Sequence, residues 1–145
     1  MPKMLDVIRM VQRGELPLPP VATLIGFTIG SIEPGRVVME MDAGPQHANP
    51  MGTVHGGILC DLADAAMGMA YASSLDEGET FTTLELKINF LKPVWSGRLT
   101  ATGRIVKGGH TVGLVECDVH DDKGRLVAPA SSTCMTLRGE QGEGR

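Results

Sequence analysis

Apolar and polar positions follow two different periods along this chain, and the switches between them mark its elements. Over residues 3–14, Met4, Ile8 and Val11 share one stripe at helical spacing, which predicts a short helix that Gly14 can end. Residues 16–20, Leu-Pro-Leu-Pro-Pro, read as an extended connector broken by proline. From 36 to 42 the period is two: Val37, Met39 and Met41 face one way, Val38, Glu40 and Asp42 the other, as in a half-buried strand. A loop rich in Gly, Pro and Asn spans 44–53. Residues 57–74 hold the one long helix. Ile58, Leu62, Ala65 and Met69 form a stripe, and Leu59, Ala63, Ala66, Met67 and Ala70 cover most of the remaining circumference. A helix apolar nearly all round is a buried helix. Its only charges, Asp61 and Asp64, lie on one side.

After Gly78 the period returns to two. Leu84, Leu86, Ile88 and Phe90 alternate with Thr83, Glu85, Lys87 and Asn89. Strands over 98–106 and 111–120 follow, joined by the hairpin sequence Lys107-Gly108-Gly109-His110. Asp121-Asp122-Lys123-Gly124 makes another turn, and 125–137 reads as the last strand, where Pro129 predicts an edge or a bulge. Hairpin loops make the sheet antiparallel. A helix apolar on every side needs cover on every side. An antiparallel sheet wrapped around one long central helix, closed by a second copy of the molecule, supplies it, so the fold class is α+β.

Composition narrows this further. The chain has 145 residues, one domain's worth, and 42% of them are apolar but only 3% aromatic, so the core is built from Val, Ile, Leu, Met and Ala. No apolar run reaches the ~18 residues of a membrane span. The N-terminal residues are amphipathic and charged, without the apolar stretch of a signal peptide. Cys60, Cys117 and Cys134 are odd in number and far apart, which speaks against a disulfide framework or a metal site and for a reducing cytoplasm. The net charge of −4 argues against nucleic-acid binding. Residues 86–115, however, carry no acid and five bases, Lys87, Lys92, Arg98, Arg104 and Lys107, which leaves eight bases against 17 acids elsewhere. A basic segment on an acidic body suits a small polyanionic ligand.

The stretch Asn49-Pro50-Met51-Gly52-Thr53-Val54-His55-Gly56-Gly57 leads straight into the long helix. A helix start leaves backbone N–H groups unpaired and carries partial positive charge. Glycine there lets a carbonyl approach, so the pattern fits an oxyanion site as well as a tight turn. Asp64, on a buried helix, must be paired or carry a raised pKa suited to a general base. Gly56 and Asp64 are eight residues apart, roughly 12 Å along a helix, too far to serve one carbonyl from one chain. Two such helices packed antiparallel across a dimer would bring Asp64 of one chain near Gly56 of the other.

The spacing Asn49-x-x-Gly52-x-x-His55-Gly56-Gly57, followed by Leu62-Ala63-Asp64, resembles the signature of hotdog-fold acyl-CoA thioesterases, in particular the phenylacetic-acid-degradation type. The likeness covers roughly residues 22–138. It implies a hotdog domain over 21–138, preceded by an N-terminal helix and connector over 1–20 and followed by a flexible tail over 139–145. It implies that the Gly56 N–H polarises a thioester carbonyl, that Asn49 assists from the loop, and that Asp64 of the partner chain acts as general base or nucleophile. Thr83 matches a position whose hydroxyl orients the water. His55 matches the motif histidine, which orders the loop or contacts substrate, beside Gly57 in the substrate-binding turn; Asp61 reads as structural. Lys92, Arg104 and Lys107 become the expected partners of coenzyme A phosphates. The resemblance further implies a homodimer as the minimal active unit, assembling to a tetramer, with no metal and no cofactor beyond the coenzyme A of the substrate. Two alternatives stand beside hydrolysis: a dehydratase or hydratase of the same fold, and a non-catalytic acyl-CoA-binding module.

Overall fold

The computed structural model describes residues 2–144, so Met1 and Arg145, at the ends of the expected N-terminal and tail segments, lie outside the described residues. Helix α1 (Met4–Gln12) and a short helix α2 (Pro20–Ile25) precede strands β1 (Phe27–Glu33) and β2 (Arg36–Ala43). The long helix α3 (Gly56–Ala72) follows, then β3 (Thr80–Ile88), β4 (Gly97–Gly108), β5 (Val112–His120) and β6 (Leu126–Leu137). All pairings are antiparallel, in the order β1-β2-β4-β5-β6-β3. The sheet packs on α3 chiefly through its central strands, giving the α+β arrangement that the sequence pattern implies.

The core is aliphatic. Val37, Met39 and Met41 of β2, Leu99 and Ala101 of β4, and Val115, Cys117 and Val119 of β5 meet Leu59, Leu62, Ala63, Ala66 and Met67 of α3. With so few rings in the chain, small residues let helix and sheet close up. The tightest point is Gly103 of β4, where a Cβ would run into the Ala66 carbonyl. Burial pushes the Cys117 thiol up to about 12, so it behaves as packing material.

Four local features differ from the pattern-based expectation. Helix α2 and strand β1 carry no periodic signal: α2 has six residues, and the β1–β2 register shifts between Ile29 and Ile32. Pro129 lies on β6, which is central and not an edge; of the two expected accommodations the bulge is nearby, where the β5–β6 register shifts and Val127 is the extra residue between Leu126 and Ala128. Pro129 accepts the Asn89 N–H at 3.1 Å but has no N–H to return, and β3 ends one residue earlier, at Ile88. A register shift in β3 between Thr83 and Glu85 changes the facing of the strand. Phe81 packs on the core before it and Leu86 and Ile88 after it, while Leu84, expected to face inward with them, is 53% exposed. Finally, His47, which has no partner pattern in sequence, is buried. Its Nδ1 accepts the Gly44 N–H at 3.0 Å, so its Nε2 carries the proton it donates to the Ile25 carbonyl at 2.7 Å.

Helix α3 is apolar nearly all round but is covered on only part of its circumference. Gly57, Asp61 and Asp64 are exposed, and Ile58, Cys60, Ala65 and Met69 are half-buried beside them.

Candidate active site

The loop before α3 is folded by its own side chains. The Asn49 carboxamide oxygen accepts the N–H groups of Met51 at 2.9 Å and Thr53 at 3.2 Å, and its Nδ2 donates to the Thr53 hydroxyl at 2.8 Å. Gly52 adopts a φ of 90°, which only glycine takes without strain. His55 caps α3: its Nδ1 accepts the Gly57 N–H at 2.9 Å. Two expectations therefore separate. Of the two readings of His55, loop ordering has the hydrogen bond, and Gly57, expected to bind substrate, has its N–H consumed by that cap. Gly56 N–H has no protein acceptor among the described residues. Gly56 lines a cavity of about 410 Å³ with Asn49, Phe90 and Lys92. A Cβ on Gly56 would stand 2.9 Å from Phe90 Cζ, so the glycine keeps this approach open.

Asp64 lies on the uncovered side of α3, at a second cavity of about 270 Å³. Neighbouring atoms crowd its carboxyl although the residue remains open to solvent. Burial raises its pKa above the usual aspartate value, the Asp61 charge raises it further, and a hydrogen bond from Thr83 pulls it back. The shift in β3 register is what aims Thr83 at the helix; strict alternation would place it on the face opposite Leu86 and Ile88. Asp61, three residues from Asp64 on the same side, lines the same cavity with no hydrogen-bond partner among the described residues, so it is not a carboxylate satisfied by a strand. Its i, i+3 spacing from Asp64 was the available signal. The walls opposite the helix include Leu18, Val21 and Ala22, from a segment to which the sequence pattern gives no role.

Gly56 and Asp64 of one chain thus face different cavities. The basic residues also divide. Lys92 joins Gly56. Arg104 does not: its guanidinium binds Glu116 at 2.7 Å and Asp118 at 3.7 Å. Arg98 binds Glu40 and Asp42, each at 3.0 Å. Register explains both, because antiparallel pairing sets Arg104 opposite Glu116 and Arg98 opposite Asp42. Two of the five bases of the acid-free run 86–115, Arg98 and Arg104, are therefore neutralised by neighbouring strands, whereas Lys87, Lys92 and Lys107 have no ion pair among the described residues. Lys107, near the far end of β4, belongs to the end of the fold where Gly113 packs on Tyr71, roughly 22 Å along α3 from Gly56.

Comparison with known proteins adds a family. Residues 51–128 match the model of the Thioesterase superfamily. A candidate esterase of Saccharolobus solfataricus is 35% identical over 108 residues, 74% of this chain and 76% of its own. The 1,4-dihydroxy-2-naphthoyl-CoA hydrolase of Listeria monocytogenes is 28% identical over 109 residues, 75% of this chain and 89% of its own. Among solved structures, a phenylacetic acid degradation-related protein from Ralstonia eutropha superposes with a TM-score of 0.82 at 33% identity, covering 88% of this chain and 98% of that one.

Proposed function

Because the chain belongs to the thioesterase superfamily, we propose that it hydrolyses an aryl- or medium-chain acyl-CoA thioester to the free acid and coenzyme A, at a site shared by two chains. Its fold is the hotdog fold and its chemistry thioester hydrolysis. The observation that carries it is the pair formed by an unpartnered Gly56 N–H at a helix start and an Asp64 carboxylate of raised pKa on the same helix, too far apart to meet within one chain.

In the shared site the Gly56 N–H of one chain donates to the thioester oxygen, where negative charge develops as the carbonyl is attacked. Asn49 holds the loop that presents this N–H, and its second Nδ2 proton remains to assist. Asp64 of the other chain takes a proton from water as the water oxygen bonds to the carbonyl carbon, or attacks that carbon itself and is released by water. Thr83 favours the ionised form of Asp64 and orients the attacking water. Collapse of the adduct breaks the C–S bond, and the thiolate leaves with a proton as coenzyme A. Lys92, beside Gly56, meets a coenzyme A phosphate. The working unit is a homodimer, with dimers pairing to a tetramer, acting in the cytoplasm. Among the described residues no helix is long and apolar enough to cross a membrane.

A thiol-release screen over short, medium, long and aromatic acyl-CoAs tests the reaction. Turnover of one class with free-acid formation supports it. Acyl-CoA binding without thiol release, or loss of a crotonyl-type double bond instead, would replace it with one of the two alternatives.

A further inference from the structure

The cavity beside Asp64 has a wall that lies outside the family match. The matched residues begin at 51, whereas Leu18, Pro19, Val21 and Ala22 come from the stretch before β1. We propose that this N-terminal wall closes the acyl pocket and sets the length of the acyl group accepted, selecting a compact apolar acyl group without a polar tail. The proposal rests on the reading above, that the thioester carbonyl is attacked at Asp64.

Three observations support it. The cavity is apolar apart from Asp61 and Asp64, both on the helix side, so nothing at its far end pairs with a charge or hydroxyl on the acyl tail. Its volume, about 270 Å³, falls just below the roughly 300–1,000 Å³ of ordinary small-molecule pockets, which favours a compact occupant. The wall is also held, not hinged. Pro17, Pro19 and Pro20 fix φ through the segment, and Pro20 sits in the first turn of α2. Upstream, Ile8 of α1 is buried in the core, and the Gln12 carboxamide donates to the Gly30 carbonyl. Downstream, His47 Nε2 donates to the Ile25 carbonyl at the end of α2. A wall anchored at both ends discriminates by length, because an overlong acyl group cannot push it aside without breaking those anchors.

Leu18→Ala and Val21→Ala remove bulk from the wall and leave Asp64, Thr83 and Gly56 in place. Val21 is 49% exposed, so its truncation keeps the protein testable even if Leu18→Ala unfolds it. Binding is measured by calorimetry with non-hydrolysable acyl-CoA thioethers of two to twelve carbons, beside kcat/KM for the matching thioesters. Each buried methylene is worth about fourfold in affinity. The expected result is a preference shifted towards longer chains by about two carbons, a ratio of long- to short-chain affinity raised roughly tenfold, and unchanged binding of free coenzyme A. A chain-length ratio within twofold of the parent in the folded variants, or an equal change for free coenzyme A, overturns the proposal. If no thioester is hydrolysed but the thioether ratio still shifts, the hydrolase reading falls and the acyl wall stands.

Discussion

The two cavities along α3 are built by opposite means. The one at Gly56 is made by a loop whose hydrogen bonds fold it onto itself, leaving one backbone N–H and one lysine facing outward. The one at Asp64 is made by packing: apolar side chains from β1, β2 and the N-terminal segment surround a single acidic edge. The first offers donors and positive charge, the second a carboxylate in low-polarity surroundings. A thioester has the same division, a polyanionic thiol half and an apolar acyl half joined at a carbonyl. On the function proposed above, each half of the chemistry is furnished by a different end of the site, the first turn of α3 at Gly56 and the middle of α3 at Asp64, so that a complete site would take two helices.

The sharpest way to break that comparison is to remove one end at a time. Asp64→Asn should lower thioester turnover by roughly 10²–10⁴, the usual contribution of a general base. Gly56→Ala, whose Cβ crowds Phe90, should impair the other end. Mixing the two inactive proteins under subunit exchange should restore thiol release, because a mixed dimer holds one intact site. If mixing restores nothing, while each variant still forms dimers, the site is not shared. Asp64→Asn should not weaken the fold. With its pKa raised, the Asp64 carboxyl binds its proton more tightly in the folded chain than in the unfolded one. Its contribution is present below the ordinary value of 3.8 and is lost as pH rises through the folded value. At neutral pH the variant should therefore melt no lower than the parent, and the difference should close in acid.

How far the sequence reveals these two ends also differs. The Gly56 end is legible because its chemistry lies in contiguous residues and the helix after it is strongly apolar. The strands from β2 onward are legible through alternation, except where β3 shifts register between Thr83 and Glu85. The Asp64 end is only half legible. Asp64 stands out as a charge on an apolar helix, but its surroundings are assembled from far away: the N-terminal wall from residues 18–22, and Thr83 through a register shift that no period reveals. Charge misleads for the same reason. Arg98 and Arg104 look free because the acids opposite them are remote along the chain and adjacent only across the sheet.

That difference among the basic residues gives a test of intermediate size. Lys92→Ala should raise KM for acyl-CoA by about three- to tenfold with kcat little changed, and the effect should shrink as salt screens the phosphates. Arg104→Ala should leave KM within twofold, because Glu116 and Asp118 already hold the guanidinium. A larger effect at Arg104 than at Lys92 would mean that the thiol half lies along β4 and not beside Gly56.

The smallest expected effect is a movement of the pH profile, and it isolates the Asp64 end from everything else. The acidic limb of kcat/KM reports the group that must be ionised in the free enzyme. Because the Asp64 pKa is raised, that limb should stand above the ordinary aspartate range. Asp61→Asn removes a like charge that disfavours ionisation, so the limb should move to lower pH. Thr83→Val removes the hydrogen bond that favours the carboxylate, so the limb should move to higher pH, whatever it does to kcat. Burial is common to both variants, and only the sign of the neighbour's effect differs. Opposite movements would tie the limb to Asp64; movement in the same direction, or none, would assign it to another group and leave the Asp64 cavity without its base.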